Sequence, residues 1–281
     1  MKKNLILVDS GSNLHNGESI LTSADTDIRV VPFYIRFGEK EFSDDENLDV
    51  DSFLEEYHDL PRTVKTSTAC PSPALFLKEM EGYQNVVIIT ISEKLSGAFN
   101  AANIAKSMFE VPDNVLVVDS KGAAGMEELV ARKTFSLFEE GVSMENMEKE
   151  LSAYIPSLSI LFVLRRFDTL VRAGRVSKIV GLLVTRLHIK PVFYGKDGRI
   201  SQLEKISPLE GPIKRLVKNI ARLAGDVKDK ICLITHTKNK EEAEELKKEI
   251  LETVPFKEVD IRENRGLCSY YSMDKALLVS F

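Results

Sequence analysis

The chain has 281 residues, of which 43% are apolar and 29% charged, and a net charge of −5. This length exceeds that of the usual single domain and favours two, each with enough apolar material to bury a core. The balance excludes a disordered or membrane-embedded chain, and its acidic sign offers no field for nucleic acid.

The N-terminal MKKNLILVDS carries Lys2 and Lys3 ahead of an apolar run that stops at Asp9, too short for a secretion signal and suited to a first strand. Further short apolar runs follow: IRVVPFYIRF, VVIITI and NVLVV, then LSILFVL, IKPVFYG, KICLITH, FKEVDIRE and ALLVSF. Between them lie helical patterns such as SPALFLKEMEG, SGAFNAANIAKSMF, EELVARKTFSLFEEG, SMENMEKELSAYIPS and KEEAEELKKEILETV. This alternation predicts an α/β fold with mainly parallel sheets covered by helices. The helical pattern EKELSAYI runs into Pro156 before a new apolar run begins. A boundary there divides the chain into an N-terminal α/β domain over 1–157 and a C-terminal α/β domain over 158–281.

No run approaches the ~20 apolar residues of a spanning helix, and even KIVGLLV is closed off by Arg186 and His188. Any membrane contact is therefore expected to be transient and without insertion. Cys70, Cys232 and Cys268 are far apart, odd in number and without a CxxC pair. Such usage argues against a disulfide framework or a zinc cage, and for a reducing, cytoplasmic setting.

Two strands end alike, in ILVDSGSN and VLVVDSKG, and an Asp-Ser after an apolar run suits the carboxyl edge of an α/β sheet, where ligands gather. Taken alone, each pair is better explained by a turn with an N-cap. In VVIITISEKLSGAFNAANIA, a polar joint links a buried strand to a helix. A helix's first turn leaves amides unpaired and carries partial positive charge, so it can hold an anion without a charged side chain. Ser96 adds a hydroxyl there, and Gly97 removes the Cβ that would keep a ligand off the backbone. In VKTSTACPSPALFLKEM, Thr66, Ser67, Thr68 and Ser72 crowd before a helix whose first position suits Pro73. Each joint alone also reads as an ordinary helix cap; if the fold brings both to one sheet edge, their hydroxyls and amides converge.

Catalytic machinery is hard to find. The phosphate loops GxxxxGK[ST] and GxGxxG and the GxSxG elbow are absent, and VDSGS lacks the second acid of a DxD pair. His15, His58, His188 and His236 read as structural or surface residues. Arg172 and Arg175, in LVRAGRVSK, suit either a docking surface near the site or a helix C-terminus stopped by Gly174. A metal-dependent enzyme acting on a small carboxylate or phosphate through Asp9 or Asp119 is the competing function.

TISEKLSGAFNAA resembles the segment by which the DegV family is known. VDSGSNL, STACPSP, VLVVDSKGAAG, FVLRRFDTLVRAGRVSK and LHIKPVF with DGRI resemble other stretches of that family, in order and nearly end to end. The resemblance implies a DegV-like protein of two α/β domains that binds one long-chain fatty acid at the domain interface. No cofactor, metal or catalytic residue is implied; the fatty acid is the ligand. Its carboxylate is expected at Thr68, Ser96 and Gly97, and the wider ligand-binding set is Ser67, Asn100, Arg172 and Tyr271. Some members serve as the fatty-acid-binding subunit of bacterial fatty acid kinase, which makes a separate fatty acid kinase catalytic protein the implied partner. Two departures bear on that partner. The end GLCSYYSMDKALLVSF lacks the histidine of many relatives, with Tyr271 or Ser272 near the corresponding place. Relatives with a kinase role often carry an arginine in the stretch after the Asp-Gly turn, and no arginine is found there in LEKISPLEG, which offers only Lys205 and then Ser207. Phe33, Tyr34, Ile35, Phe99 and Phe109 are available to a tail pocket, although in an α/β layer such residues are core first.

Overall fold

The computed structural model describes residues 3–176, 191–203 and 211–281; His188, Lys205 and Ser207 lie outside the described residues. The first sheet contains β1 (Asn4–Asp9), β2 (Thr26–Val31), β6 (Asn85–Thr90) and β7 (Val115–Asp119) in the order β2-β1-β6-β7. All of its neighbours pair in parallel. From β1 the chain steps outward to β2 and later returns on the opposite side to β6, so the order reverses between β1 and β6. That reversal opens a crevice beyond their carboxyl ends.

Alternation along β1 explains how both faces are covered. Leu5 and Leu7 join the layer formed with α2 (Pro73–Met80) and α3 (Ala98–Met108), whereas Ile6 and Val8 face the core that contains α4 (Gly125–Glu139) and α5 (Met144–Tyr154). A strand buried on both sides must read as a continuous apolar run, which NLILV does. Each such side chain contributes roughly 1.5–3 kcal/mol on burial.

The second sheet has the order β10-β9-β8-β13-β11-β12. Its strands are β8 (Ile160–Val163), β9 (Phe193–Lys196), β10 (Arg199–Gln202), β11 (Ile231–Thr237), β12 (Glu258–Glu263) and β13 (Ala276–Ser280). Only β11 and β12 pair in parallel; the other pairings are antiparallel. This sheet therefore departs from the mainly parallel pattern expected for it. One reversal is local: β9 and β10 are joined by the two-residue turn Asp197–Gly198, with φ of 49° and 77°. The C-terminal strand β13 then inserts between β8 and β11, antiparallel to both.

A third, antiparallel sheet of order β4-β3-β5 is built from β3 (Tyr34–Phe37), β4 (Lys40–Ser43) and β5 (Thr66–Ala69). The run IRVVPFYIRF thus divides at Pro32, which has no amide for a ladder. The Thr-Ser-rich stretch before α2 is itself a strand rather than only a cap. Helices α1 (Val50–Asp59), α6 (Asp168–Arg172), α7 (Pro212–Leu223), α8 (Lys240–Thr253) and α9 (Gly266–Ser272) complete the described α-helices.

Every strand of the second sheet follows residue 158, yet the cores do not separate there. α4 touches β1 and β6 of one sheet and β11 and β13 of the other, and one apolar cluster runs from Ile6 through Phe162 to Ala276. Gly125 makes this close contact feasible: a Cβ there would stand 3.0 Å from Leu233 Cβ and 3.1 Å from Ser280 Oγ. No helix among the described residues is long and apolar enough to cross a membrane.

Candidate functional site

The two strand-end aspartates shape the joint between β6 and α3. Asp9 is fully buried, and its carboxyl oxygens accept from the Gly11 and Ile91 amides, each at 2.9 Å. Burial pushes its pKa up to about 7 against the opposing pull of those amides, and the neighbouring Asp44 charge adds to the rise. Asp119 accepts from Lys121 at 2.8 Å and Glu93 at 3.3 Å. Residues 91–97 are therefore pinned from both adjoining strands. Ser92 adds a further tie, its amide donating to Gly122 O at 2.8 Å and its hydroxyl to Gly198 O at 2.8 Å.

Along this pinned joint, Ser96 Oγ accepts from the Ala98 amide at 3.2 Å, which leaves its own O–H free to donate. Gly97 is the N-cap of α3 and has no side-chain cap bond. A Cβ there would lie 3.4 Å from Cys70 Sγ, so the joint abuts the end of β5. At the other expected joint, α2 begins at Pro73, with Ser72 Oγ accepting from the Leu75 amide at 3.3 Å. Ser72 is a helix cap, and it is Thr68, further back on β5, that reaches the crevice.

Where the joints meet there is a cavity of about 400 Å³, within the range of small-molecule sites. Thr68, Ser96, Gly97 and Tyr271 all border it. Its apolar lining comes from both halves of the chain and includes Phe33 and Ile91, on loops beside the first sheet, and Phe162, Leu164, Ile200 and Leu278, on or next to strands of the second. Lys121, Arg175 and Arg199 supply positive charge at its border. Of the tail candidates, Phe33 lines the cavity, while Ile35 belongs to the aromatic core under α1 and Phe109 packs against the layer of α2 and α3.

The remaining expected site residues are placed elsewhere. Ser67 is exposed on β5, in register with Arg36 and on the strand face opposite to Thr66 and Thr68. Asn100 is exposed on the first turn of α3 and outside the cavity lining. Arg172 donates to Asp168 Oδ2 at 2.8 Å and Tyr57 Oη at 2.7 Å, clamping α6 to α1. Three positions on, after Gly174 with φ of 72° ends the helix, Arg175 turns to the cavity and its Nε donates to Leu95 O. The helix stop was visible in the sequence; which of the two arginines it aims inward was not. The stretch LEKISPLEG lies largely outside the described residues, but Arg199, the next residue after Gly198, lines the cavity, a place that sequence reasoning missed. A type I′ Asp-Gly hairpin between apolar runs is the signal that could have found it. His15, His58 and His236 do not line the cavity.

Tyr271 reaches the site because α9 is bolted to the N-terminal half. Asp44 accepts from the Gly266 and Leu267 amides at 2.8 and 2.9 Å, and Asn13 bridges Asn264 at 2.8 Å and the Arg265 amide at 2.9 Å. Held in this way, Tyr271 Oη lies 2.8 Å from Thr68 Oγ1, and its neighbour Tyr270 Oη lies 2.7 Å from Thr66 Oγ1. The site thus presents hydroxyls and helix-terminal amides at one place on an otherwise largely apolar cavity, an arrangement suited to a ligand with an anionic head and an oily body.

The model of the DegV family matches residues 3–281. The chain belongs to the DegV family. Among curated DegV domain-containing proteins, one from Streptococcus pneumoniae is 32% identical over 281 residues, covering 98% of each chain. One from Streptococcus pyogenes serotype M1 is 31% identical over 282 residues, again covering 98% of each. Among solved structures, the Streptococcus pneumoniae fatty acid kinase (Fak) B3 protein loaded with linoleic acid superposes with a TM-score of 0.91 at 29% identity, covering 99% of both chains. A DegV family protein of Ruminococcus gnavus, refined with vaccenic acid, gives a TM-score of 0.89 at 25% identity and the same coverage.

Proposed function

We propose that this DegV protein binds a long-chain fatty acid, with the carboxylate at Thr68, Ser96 and the first-turn amides after Gly97, and the tail along the apolar lining. The observation that carries this reading is the meeting of those hydroxyls with a cavity of about 400 Å³ walled by both halves of the chain. The fatty acids in the Fak B3 and Ruminococcus gnavus structures support it. Burial contributes about 0.8 kcal/mol per methylene, so roughly fourteen methylenes gain on the order of 10 kcal/mol before the entropic cost of binding. A carboxylate at a helix N-terminus adds about 0.3–2 kcal/mol, enough to decide which end faces the loops. Affinity resides in the tail and orientation in the head.

The protein is non-catalytic on its own and works in the cytoplasm, presenting its ligand to a separate fatty acid kinase protein. The likeness to a fatty acid kinase B protein supports that partnership, and Arg175 and Arg199 at the cavity border suit an anionic head group. For the competing enzyme reading, both oxygens of Asp9 and Oδ1 of Asp119 are already engaged by backbone amides, which favours their being loop anchors.

Native mass spectrometry of the protein purified from a bacterial host tests the proposal. The expected result is one co-purified C16–C18 acid per chain, lost when the protein is delipidated and regained on adding the acid. An empty chain that takes up no fatty acid, and a chain that instead needs a divalent metal to turn over a small phosphate, each overturn it.

A further inference from the structure

The geometry points to Tyr271 as a positioning residue that acts through Thr68, accepting no ligand itself but turning the threonine O–H into the cavity. This rests on the fatty-acid reading of the same site and adds to it the device that makes the threonine a donor.

A threonine hydroxyl has one proton and two acceptor positions, and it rotates to suit its partners. A carboxylate can only accept, so Thr68 serves as a donor only if some other group occupies its oxygen and leaves its proton free. Within 2.8 Å of Thr68 Oγ1 stands Tyr271 Oη. A phenol is the more acidic and hence the stronger donor of the two, and a saturated alcohol oxygen is the better acceptor. The proton between them therefore belongs to the tyrosine, and the Thr68 O–H is released toward the space that both residues border. Accepting a hydrogen bond also polarises the threonine O–H and strengthens it as a donor. Burial raises the phenol pKa above its ordinary value, and although Thr68 and the Arg175 charge oppose that rise, the phenol keeps its proton at neutral pH.

The adjoining residues form an internal control. Thr66 and Thr68 lie two apart on β5 and so share a face, and each is met by one of two successive tyrosines of α9. The Tyr270–Thr66 pair is chemically the same but faces the aromatic core with Phe37, Phe53 and Tyr57, and does not line the cavity. Only the Tyr271–Thr68 pair is aimed at a ligand. The two rings meet edge to face at 4.9 Å, which fixes the tyrosines relative to each other.

The test is a competition between palmitic acid and hexadecanol, which match in chain length but not in head charge, read by native mass spectrometry. The proteins compared are the full-length parent chain, Tyr271→Phe, Thr68→Ala, the double variant and Tyr270→Phe. Tyr271→Phe should shift the bound acid-to-alcohol ratio toward alcohol by about two- to tenfold, the range of one hydrogen bond. Thr68→Ala should shift it at least as far, and the double variant no further than Thr68→Ala. Tyr270→Phe should lower the melting temperature without moving the ratio. Additive shifts in the double variant mean that Tyr271 meets the carboxylate itself, and equal losses of acid and alcohol mean that it is only a packing residue; either overturns this inference while leaving fatty-acid binding intact. Failure of the parent chain to bind either lipid overturns the functional reading and this inference with it.

Discussion

The two walls of the cavity are built on opposite principles. On the N-terminal side, polar groups stand on loops that leave a parallel sheet, and carboxyls hold those loops still: the buried Asp9 grips Gly11 and Ile91, and the half-buried Asp119 grips Glu93 and Lys121. On the C-terminal side, the tail-facing part of the wall consists of strand residues such as Phe162 and Leu278, ladder partners set by the sheet and by apolar packing, with Phe162 stacked on Phe193 at 5.6 Å. A head group needs donors at defined positions, and loops supply them once anchored. A tail needs only apolar surface of the right shape, which a sheet face supplies without any special residue.

Breaking the packed wall should have the largest effect. Phe162→Ala, at a buried position, is expected to cost about 3–5 kcal/mol in urea denaturation, because the aromatic cluster cannot collapse fully into the space left. Next comes the anchored wall. Asp9→Asn puts an amide N–H₂ opposite a backbone donor and leaves one of its two amide partners unpaired, a cost of about 1–3 kcal/mol. This substitution also changes the pH profile. Between the ordinary carboxyl range near 3.8 and about 7, folded Asp9 keeps a proton that the unfolded chain has lost, so its contribution to stability falls as pH rises through that window and levels off above it. Relative to the parent, the asparagine variant should lose that descent, up to about 1.4 kcal/mol per pH unit at its steepest, in denaturation curves recorded from pH 4 to 8.

Smaller effects sharpen the comparison. Ser96→Ala removes a donor without touching either anchor, so fatty-acid affinity should drop about two- to tenfold with little change in melting temperature, as measured by titration of the delipidated protein. Equal lipid retention in the Ser96→Ala, Thr68→Ala double variant would count against the head-group assignment. The smallest effect is expected at Arg172, whose partners Asp168 and Tyr57 lie outside the cavity. Arg172→Ala should cost about 0–1 kcal/mol, as a partly exposed ion pair does, and leave the bound lipid unchanged. A loss of lipid as large as that of Ser96→Ala would show that the clamp between α6 and α1 controls the site.

Much of the first sheet was readable because its strands are buried on both faces and its loops carry residues with narrow conformational uses. NLILV, VVIITI and NVLVV became β1, β6 and β7, and the Ser96-Gly97 joint emerged where a strand gives way to a helix. β5 was obscured because TSTA is a short strand of small polar residues with no apolar alternation. GLCSYYS carries no legible helix signal because its seven residues give barely two turns and its capping group, Asp44, lies more than two hundred residues earlier in the chain. Arg172 and Arg175 were equivalent on paper; the left-handed residue Gly174 separates one that faces α1 from one that faces the cavity.

By itself the sequence determined what is local: the alternation that builds strands and helices, the Pro73 and Gly97 helix starts, the Asp-Gly hairpin and the family to which these strings belong. Tertiary structure alone decided the antiparallel insertion of β13 into the second sheet, the fusion of both halves around α4 and the pairing of Thr68 with a tyrosine 203 residues away. The physical reason is that backbone preference acts over a few neighbouring residues, whereas a hydrogen bond or a packed ring depends on which distant surfaces the whole chain brings within a few ångströms.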